Sequence, residues 1–215
     1  MNRITLIYLN WRRKNQLKEI IEKAKKQTAN PKIIVIDNAS DDAQNKIDVD
    51  GVEYIKSDNK HQCWERWIHA IKLESEYVCV MDDDLAFNND TTLNKCLEYM
   101  DKNHNVDGVG YTGVDYNPNH GYFKSKNYLQ PLQYNLEVPI IKGRFMFIRK
   151  KSLEGLDMEP DLTCDDIKVC GHIKNKVLLS DIRGHLINLK EGDEAVFRQP
   201  GQHQKREIAS KKYIQ

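Results

Sequence analysis

Apolar residues in this chain fall into short runs of two kinds. ITLIYL (4–9), IIVI (33–36), VEYIK (52–56) and YVCVM (77–81) are four to six residues long and rich in β-branched and aromatic side chains, which predicts strands. Between them, Leu17, Ile20, Ile21 and Ala24 recur at helical spacing within residues 15–26. Trp64, Trp67, Ile68 and Ile71 mark a second amphipathic helix, residues 91–100 a third, and VDGVGYTG (106–113) a further strand. Strands alternating with helices predict an α/β fold, a mostly parallel central sheet flanked by helices.

The second half is less regular. Residues 115–137, rich in Asn, Tyr, Gly and Pro, read as a long loop, and such loops are commonly functional. PIIKGRFMFIRK (139–150) reads as a strand pair broken at Gly143, residues 163–174 as a helix, and KVLLSDIRGHLINL (176–189) as one or two strands. From Glu191 onward the sequence is a polar tail. With 215 residues and no internal repeat, the pattern fits one domain.

Composition narrows the function classes. Lys plus Arg is 33 and Asp plus Glu 32, so a net charge of +1 predicts no bulk attraction to nucleic acid or acidic membrane. No apolar run approaches the ~18 residues of a spanning helix, and the opening MNRITLIYL reads as a strand rather than a signal peptide. Five cysteines without a CxxC pair argue against a disulfide framework or structural zinc, which makes the cytoplasm the expected compartment.

The strongest chemical signal is Asp82-Asp83-Asp84 directly after an apolar strand. Three adjacent carboxylates repel one another unless a cation compensates, and hard divalent ions bind carboxylate oxygen while sharing their shell with substrate phosphates. An acidic, helix-capping loop is the plainer alternative. A second signal is IIVIDNAS (33–40): Asp37 can accept hydrogen bonds from a base or ribose, or can cap the next helix together with Ser40. In a parallel sheet, ligands bind beyond the carboxyl ends of the strands. That rule puts residues 10–13, 37–40 and 82–84 along one rim.

The set ITLIYLNWRR, IIVIDNASDD, EYVCVMDDDLAF, GRFMFIRKKSLEGL, CDDIKVCGHI and SDIRGHL, in that order, resembles the family-2-like glycosyltransferases of GT-A fold, over roughly residues 3–190. The resemblance implies a nucleotide-binding half (1–110), an acceptor half (111–190) and a C-terminal tail (191–215). It implies that Leu9, Asn10 and Arg12 contact the nucleotide and that Asp37 is the base- or ribose-binding acid. Asp82, Asp83 and Asp84 become the DXD motif, with Asp84 a direct ligand of Mn²⁺ or Mg²⁺ and Asp82 close to metal, ribose and sugar. Gly143 and Arg144 line the donor sugar, and Arg66 stands in for the family's arginine before the DXD strand. Asp166 becomes the catalytic base with Asp165 beside it, and His185 a third metal ligand, with His203 competing for that role.

The implied reaction transfers a sugar from a nucleotide-diphosphate sugar, UDP-linked as is commonest in this family, to an acceptor hydroxyl with inversion. The acceptor is a glycan, a small molecule or, less in keeping with the charge, modified nucleic acid. Each role has a plainer alternative: helix capping for Asp165 and Asp166, and a structural imidazole for His185. The basic tail residues Arg198, Lys205, Arg206, Lys211 and Lys212 could close on phosphates or an anionic acceptor, with solvated charge the plainer reading. Tyr111, Tyr116, Tyr122, Phe123 and Tyr128 could stack on a sugar or base, with packing the plainer reading. The absence of a Gln-x-x-Arg-Trp motif disfavours a polymerising synthase. Two rivals remain: a sugar nucleotidyltransferase, which normally needs a glycine-rich loop where this chain has LNWRRKNQ, and a non-catalytic nucleotide-sugar-binding module.

Overall fold

The protein is described here from a computed structural model, in residues 2–11, 14–38, 49–162, 164–189 and 200–214. Among these, the principal sheet has eight strands. One side is parallel: β3 (Val52–Ser57), β2 (Lys32–Asn38), β1 (Ile4–Asn10) and β4 (Tyr77–Asp82), in that spatial order. The next strand is β11 (Phe145–Arg149), which runs antiparallel to β4 and to β6 (Gly108–Gly110). β12 (Lys176–Leu178) lies parallel to β6, and β9 (Leu136–Glu137) closes the edge. The two halves expected from the sequence therefore share one sheet, because β11 is inserted beside β4.

Strand parity explains the layers. In β1, Ile4, Leu6 and Tyr8 face one core with Cys79, Met81, Phe145 and Phe147, while Ile7 faces the other with Val78, Val80, Met146 and Ile148. A strand buried on both faces reads as a continuous apolar run, as ITLIYL does. The first core is covered by α1 (Lys14–Lys25) through Leu17, Ile20, Ile21 and Ala24, and by α3 (Thr92–Lys102) through Leu93, Cys96 and Met100. The second is covered by α2 (Glu65–Ala70) with Trp64 and Trp67, and by α4 (Asp165–His172) with Ile167, Val169 and Cys170.

The predicted loop at 115–137 contains structure. β7 (Gly113–Asp115) pairs with β8 (Lys126–Tyr128) and with β10 (Ile140–Ile141) in a three-stranded sheet. A two-stranded ribbon joins β5 (Leu85–Phe87) to β13 (Leu186–Asn188). The polar tail also differs from expectation: residues Gln202–Tyr213 form α5, which begins after Gly201 in the left-handed region at φ 78°. α5 lies against α4, where Gly171 lets the backbone of Tyr213 approach; a Cβ there would stand 2.4 Å from the Tyr213 carbonyl oxygen. Among the described residues no helix is long and apolar enough to cross a membrane, and all five cysteines are free thiols.

Candidate active site

The parallel strands end in register. Leu9 pairs with Asp82, and Asn10 pairs with Asp37, so the polar residues that follow each apolar run meet along one rim. There the Asn10 amide donates to Asp37 Oδ1 at 3.2 Å, and both residues are buried. The backbone N–H of Trp11 donates to Asp83 Oδ2 at 2.7 Å, tying the first loop to the aspartate run.

The three aspartates take different partners. Asp82, the last residue of β4, accepts from Arg66 Nη1 at 2.9 Å, with 36 % of its side chain still open to solvent. Asp84 accepts from Arg144 Nη2 at 3.0 Å. The repulsion between adjacent carboxylates is thus relieved in part by the protein's own arginines. Even so, loss of hydration pushes the Asp82 carboxyl up to about 6, with Arg66 opposing and the Asp84 and Asp165 charges adding to the rise.

Arg66 is the hub. Its α2 helix lies under the sheet, and its guanidinium is nearly closed off from solvent, at 4 % exposure. Nε donates to Asp165 Oδ2 at 2.7 Å, while Nη1 donates to Asp82 and, at 3.0 Å, to the Gly143 carbonyl. The Trp67 indole donates to the same Asp165 oxygen at 2.6 Å. Gly143 permits this approach: a Cβ there would sit 2.5 Å from Arg66 Nη2.

Asp165 and Asp166 open α4, but neither is simply a helix cap. Asp165 is committed to Arg66 and Trp67. Asp166 Oδ1 accepts the Ile167 N–H at 2.9 Å, while Oδ2 accepts the Gly143 N–H at 3.1 Å and Arg206 Nη2 at 2.8 Å. Burial pushes the Asp165 carboxyl up, against Arg66 and with Asp166 adding to the rise. Burial acts on Asp166 in the same sense, yet Arg206, the Gly143 N–H and Arg66 outweigh it and hold the carboxyl below its ordinary range.

Residues 5–157 match the model of the family described as Glycosyl transferase family 2. The chain belongs to that family. The match spans more than half of the sequence and includes Asp37, Arg66, the three aspartates, Gly143 and Arg144, while Asp165, Asp166, His185 and Arg206 lie beyond it.

Solved structures agree in fold. One is the mannosyltransferase PcManGT from Pyrobaculum calidifontis in complex with GDP-Man and Mn²⁺, with TM-score 0.58 and 14 % identity, over 84 % of this chain and 55 % of that one. Another is S. aureus TarS 1-349 in complex with UDP-GlcNAc, with TM-score 0.63 and 16 % identity, over 92 % of this chain and 61 % of that one. The chain thus spans less than two thirds of the length of either neighbour. No curated protein matches the sequence. The chain has the α/β architecture of these GT-A structures.

In this family-2 chain the structure brings together Leu9, Asn10, Asp37, Asp82, Asp83, Asp84, Arg66, Gly143, Arg144, Asp165 and Asp166. It sets His185 apart. The β5–β13 ribbon pairs the His185 carbonyl with the Asn88 N–H and the Leu189 N–H with the Asp84 carbonyl, so His185 lies four positions along the ribbon from Asp84. Its imidazole instead approaches the Thr92 hydroxyl, with Nδ1 at 3.5 Å, and burial pushes it down. In this arrangement the His185 imidazole stands away from the strand-end aspartates. The physical reason is the turn at Gly184 (φ 75°), which leads 186–188 back antiparallel to β5. His203 stacks on Phe123 at a centroid distance of 4.0 Å, on α5. Arg12 and Ser40 lie outside the described residues.

Three contributors went unread. Trp67 looked like an apolar helix marker, yet its N–H serves Asp165. Arg206 looked like solvated charge, and Tyr122 like packing; the Tyr122 hydroxyl accepts from Arg206 Nη2 at 2.8 Å.

A divalent cation fits the donor set. Asp82 and Asp84 offer hard oxygen, and about a third of the Asp82 side chain is open to solvent. Among the described residues no ready-made group of three or more ligating side chains exists. Mg²⁺ and similar ions take one or two carboxylates and complete the shell with water and substrate phosphate.

Proposed function

We propose that this enzyme transfers a sugar from a nucleotide-diphosphate sugar, UDP-linked, to an acceptor hydroxyl, inverting the anomeric centre with Asp166 as general base. The observation that carries this reading is that one guanidinium, Arg66, joins two acid clusters. It holds Asp82 at the strand-end rim and Asp165 beside Asp166, so the donor-side and base-side acids keep a fixed spacing.

Asn10 and Asp37 take the nucleoside end of the donor, with Leu9, Arg12 and Asp83 along the same rim. Asp84 and Asp82 hold Mn²⁺ or Mg²⁺, which would supply Lewis-acid stabilisation of the departing diphosphate. Gly143 and Arg144 face the sugar and its phosphates. Arg144, held at Asp84 by its 3.0 Å contact, lies where a guanidinium can also pair with phosphate oxygen. Asp166 accepts the proton of the attacking hydroxyl as the new C–O bond forms. Arg66 and Trp67 fix Asp165, which keeps α4 and its base in place. Five free thiols fit a reducing compartment, and we place the protein in the cytoplasm.

A donor screen by thermal shift tests this. With Mn²⁺ present, one nucleotide-sugar at 100 times its dissociation constant adds about 2.7 kcal/mol of stability. Both UDP- and GDP-sugars belong in the screen. Stabilisation by nucleoside triphosphate alone, with release of pyrophosphate in an assay, would count against sugar transfer.

A further inference from the structure

We infer that Arg206 is a positioning residue for Asp166, so that the C-terminal helix α5 forms part of the active site. This rests on the reading of Asp166 as general base. The geometry is specific. Arg206 Nη2 donates both to Asp166 Oδ2 and to the Tyr122 hydroxyl, each at 2.8 Å, and the guanidinium lies 4.7 Å above the Tyr122 ring. The helix that carries it is fastened on both sides of the site. The Glu207 carboxylate accepts the N–H groups of Tyr122 and Phe123 at 2.9 and 3.1 Å, His203 stacks on Phe123, and Tyr213 packs on Gly171 of α4.

Counting lone pairs shows what this does to the base. A carboxylate offers about four acceptor positions. Gly143 and Arg206 occupy Oδ2, and Ile167 occupies one position on Oδ1. The carboxylate plane is fixed by three donors from three segments. The other charged or titratable groups around Asp166 are Asp165 beside it, Arg66 from α2, Lys142 before β11, and Tyr122. The thiols of Cys63 and Cys170 are pushed up by burial and stay protonated. Arg206 is the one of these that forms a direct ion pair with Asp166 among the described residues.

The test uses the ligand-free full chain and needs no acceptor. Carboxyl carbons of aspartate are labelled with ¹³C and titrated by NMR, with Asp166→Asn assigning the resonance. The expected result is an Asp166 midpoint below the ordinary carboxylate range in the native protein, moved up by about 1–3 units in Arg206→Gln. In Tyr122→Phe, which removes only the hydroxyl on the same guanidinium nitrogen, the midpoint moves the same way by less. Should Arg206→Gln fail to fold, Tyr122→Phe carries the test. An unchanged midpoint in the variants that fold overturns the assignment. Donor hydrolysis by Asp166→Asn is read separately. A variant that still turns over removes the base reading, whereas a dead variant beside an unmoved Arg206→Gln midpoint removes only the role given to Arg206.

Discussion

The two acid clusters of this protein are built by opposite means. Asp82, Asp83 and Asp84 stand at the end of a buried strand, one of them a third open to solvent, each with a partner from a different segment. Asp165 and Asp166 are nearly closed off at the start of a helix, with Asp165 at 3 % exposure, and are held by donors up to 99 residues away in sequence. The open cluster leaves part of the Asp82 carboxylate at the surface. The closed one is a set of donors around two adjacent carboxylates. In the first, chemistry is supplied by what arrives; in the second, by what is already fixed.

The largest effect that tests this contrast is on turnover. Asp166→Asn keeps the shape but cannot accept a proton, and should lower the rate of transfer or donor hydrolysis by about 10²–10⁴-fold with the fold intact by circular dichroism. Next comes the link between the clusters. Arg66→Ala leaves Asp165 buried without its cation, and breaking a buried pair from one side costs about 3–5 kcal/mol. Denaturant unfolding of Arg66→Ala should show that loss, and a change below 1 kcal/mol would mean the hub is not structural.

A smaller effect appears in acid. Asp166 is held below the ~3.9 of a free aspartate, so as pH falls the unfolded chain takes up its proton first. Its contribution is present above about pH 4 and is lost as pH drops through the folded value. Asp166→Asn should therefore lose stability less steeply than the native protein below that pH, as read from unfolding midpoints. Smallest of all is His185→Ala. With the imidazole turned to Thr92, Mn²⁺ dependence of donor binding should match that of the native protein, and a clear weakening would bring His185 back to the metal.

The open cluster was legible in the sequence because its determinants are local. An apolar run followed by three aspartates, and IIVI followed by Asp37, place strand ends without knowledge of the rest of the chain, and the parallel-sheet rule then joins them. The family resemblance added the significance of Asp166. The closed cluster was only partly legible, since its partners come from α2, the turn before β11 and α5. Periodicity assigned Trp67 to the core and could not show that its N–H faces Asp165. α5 buries few residues (Gln202, Ala209 and Ser210), so it lacks the apolar stripe that marks a helix and read as tail. β11 was expected as a strand, but its antiparallel insertion beside β4 is a tertiary choice that the run GRFMFIR does not encode. The position of His185 was not legible for a related reason: proximity in a motif says nothing about register, and the ribbon carries it away from Asp84.

Titration calorimetry of UDP with Mn²⁺ into the native protein, Asp84→Asn and Asp166→Asn bears most directly on the division between the clusters. Asp166→Asn should bind like the native protein, while Asp84→Asn should lose most of the Mn²⁺-dependent affinity, by about tenfold or more. Equal Mn²⁺-dependent binding in all three proteins would contradict the placement of the cation at the strand-end aspartates.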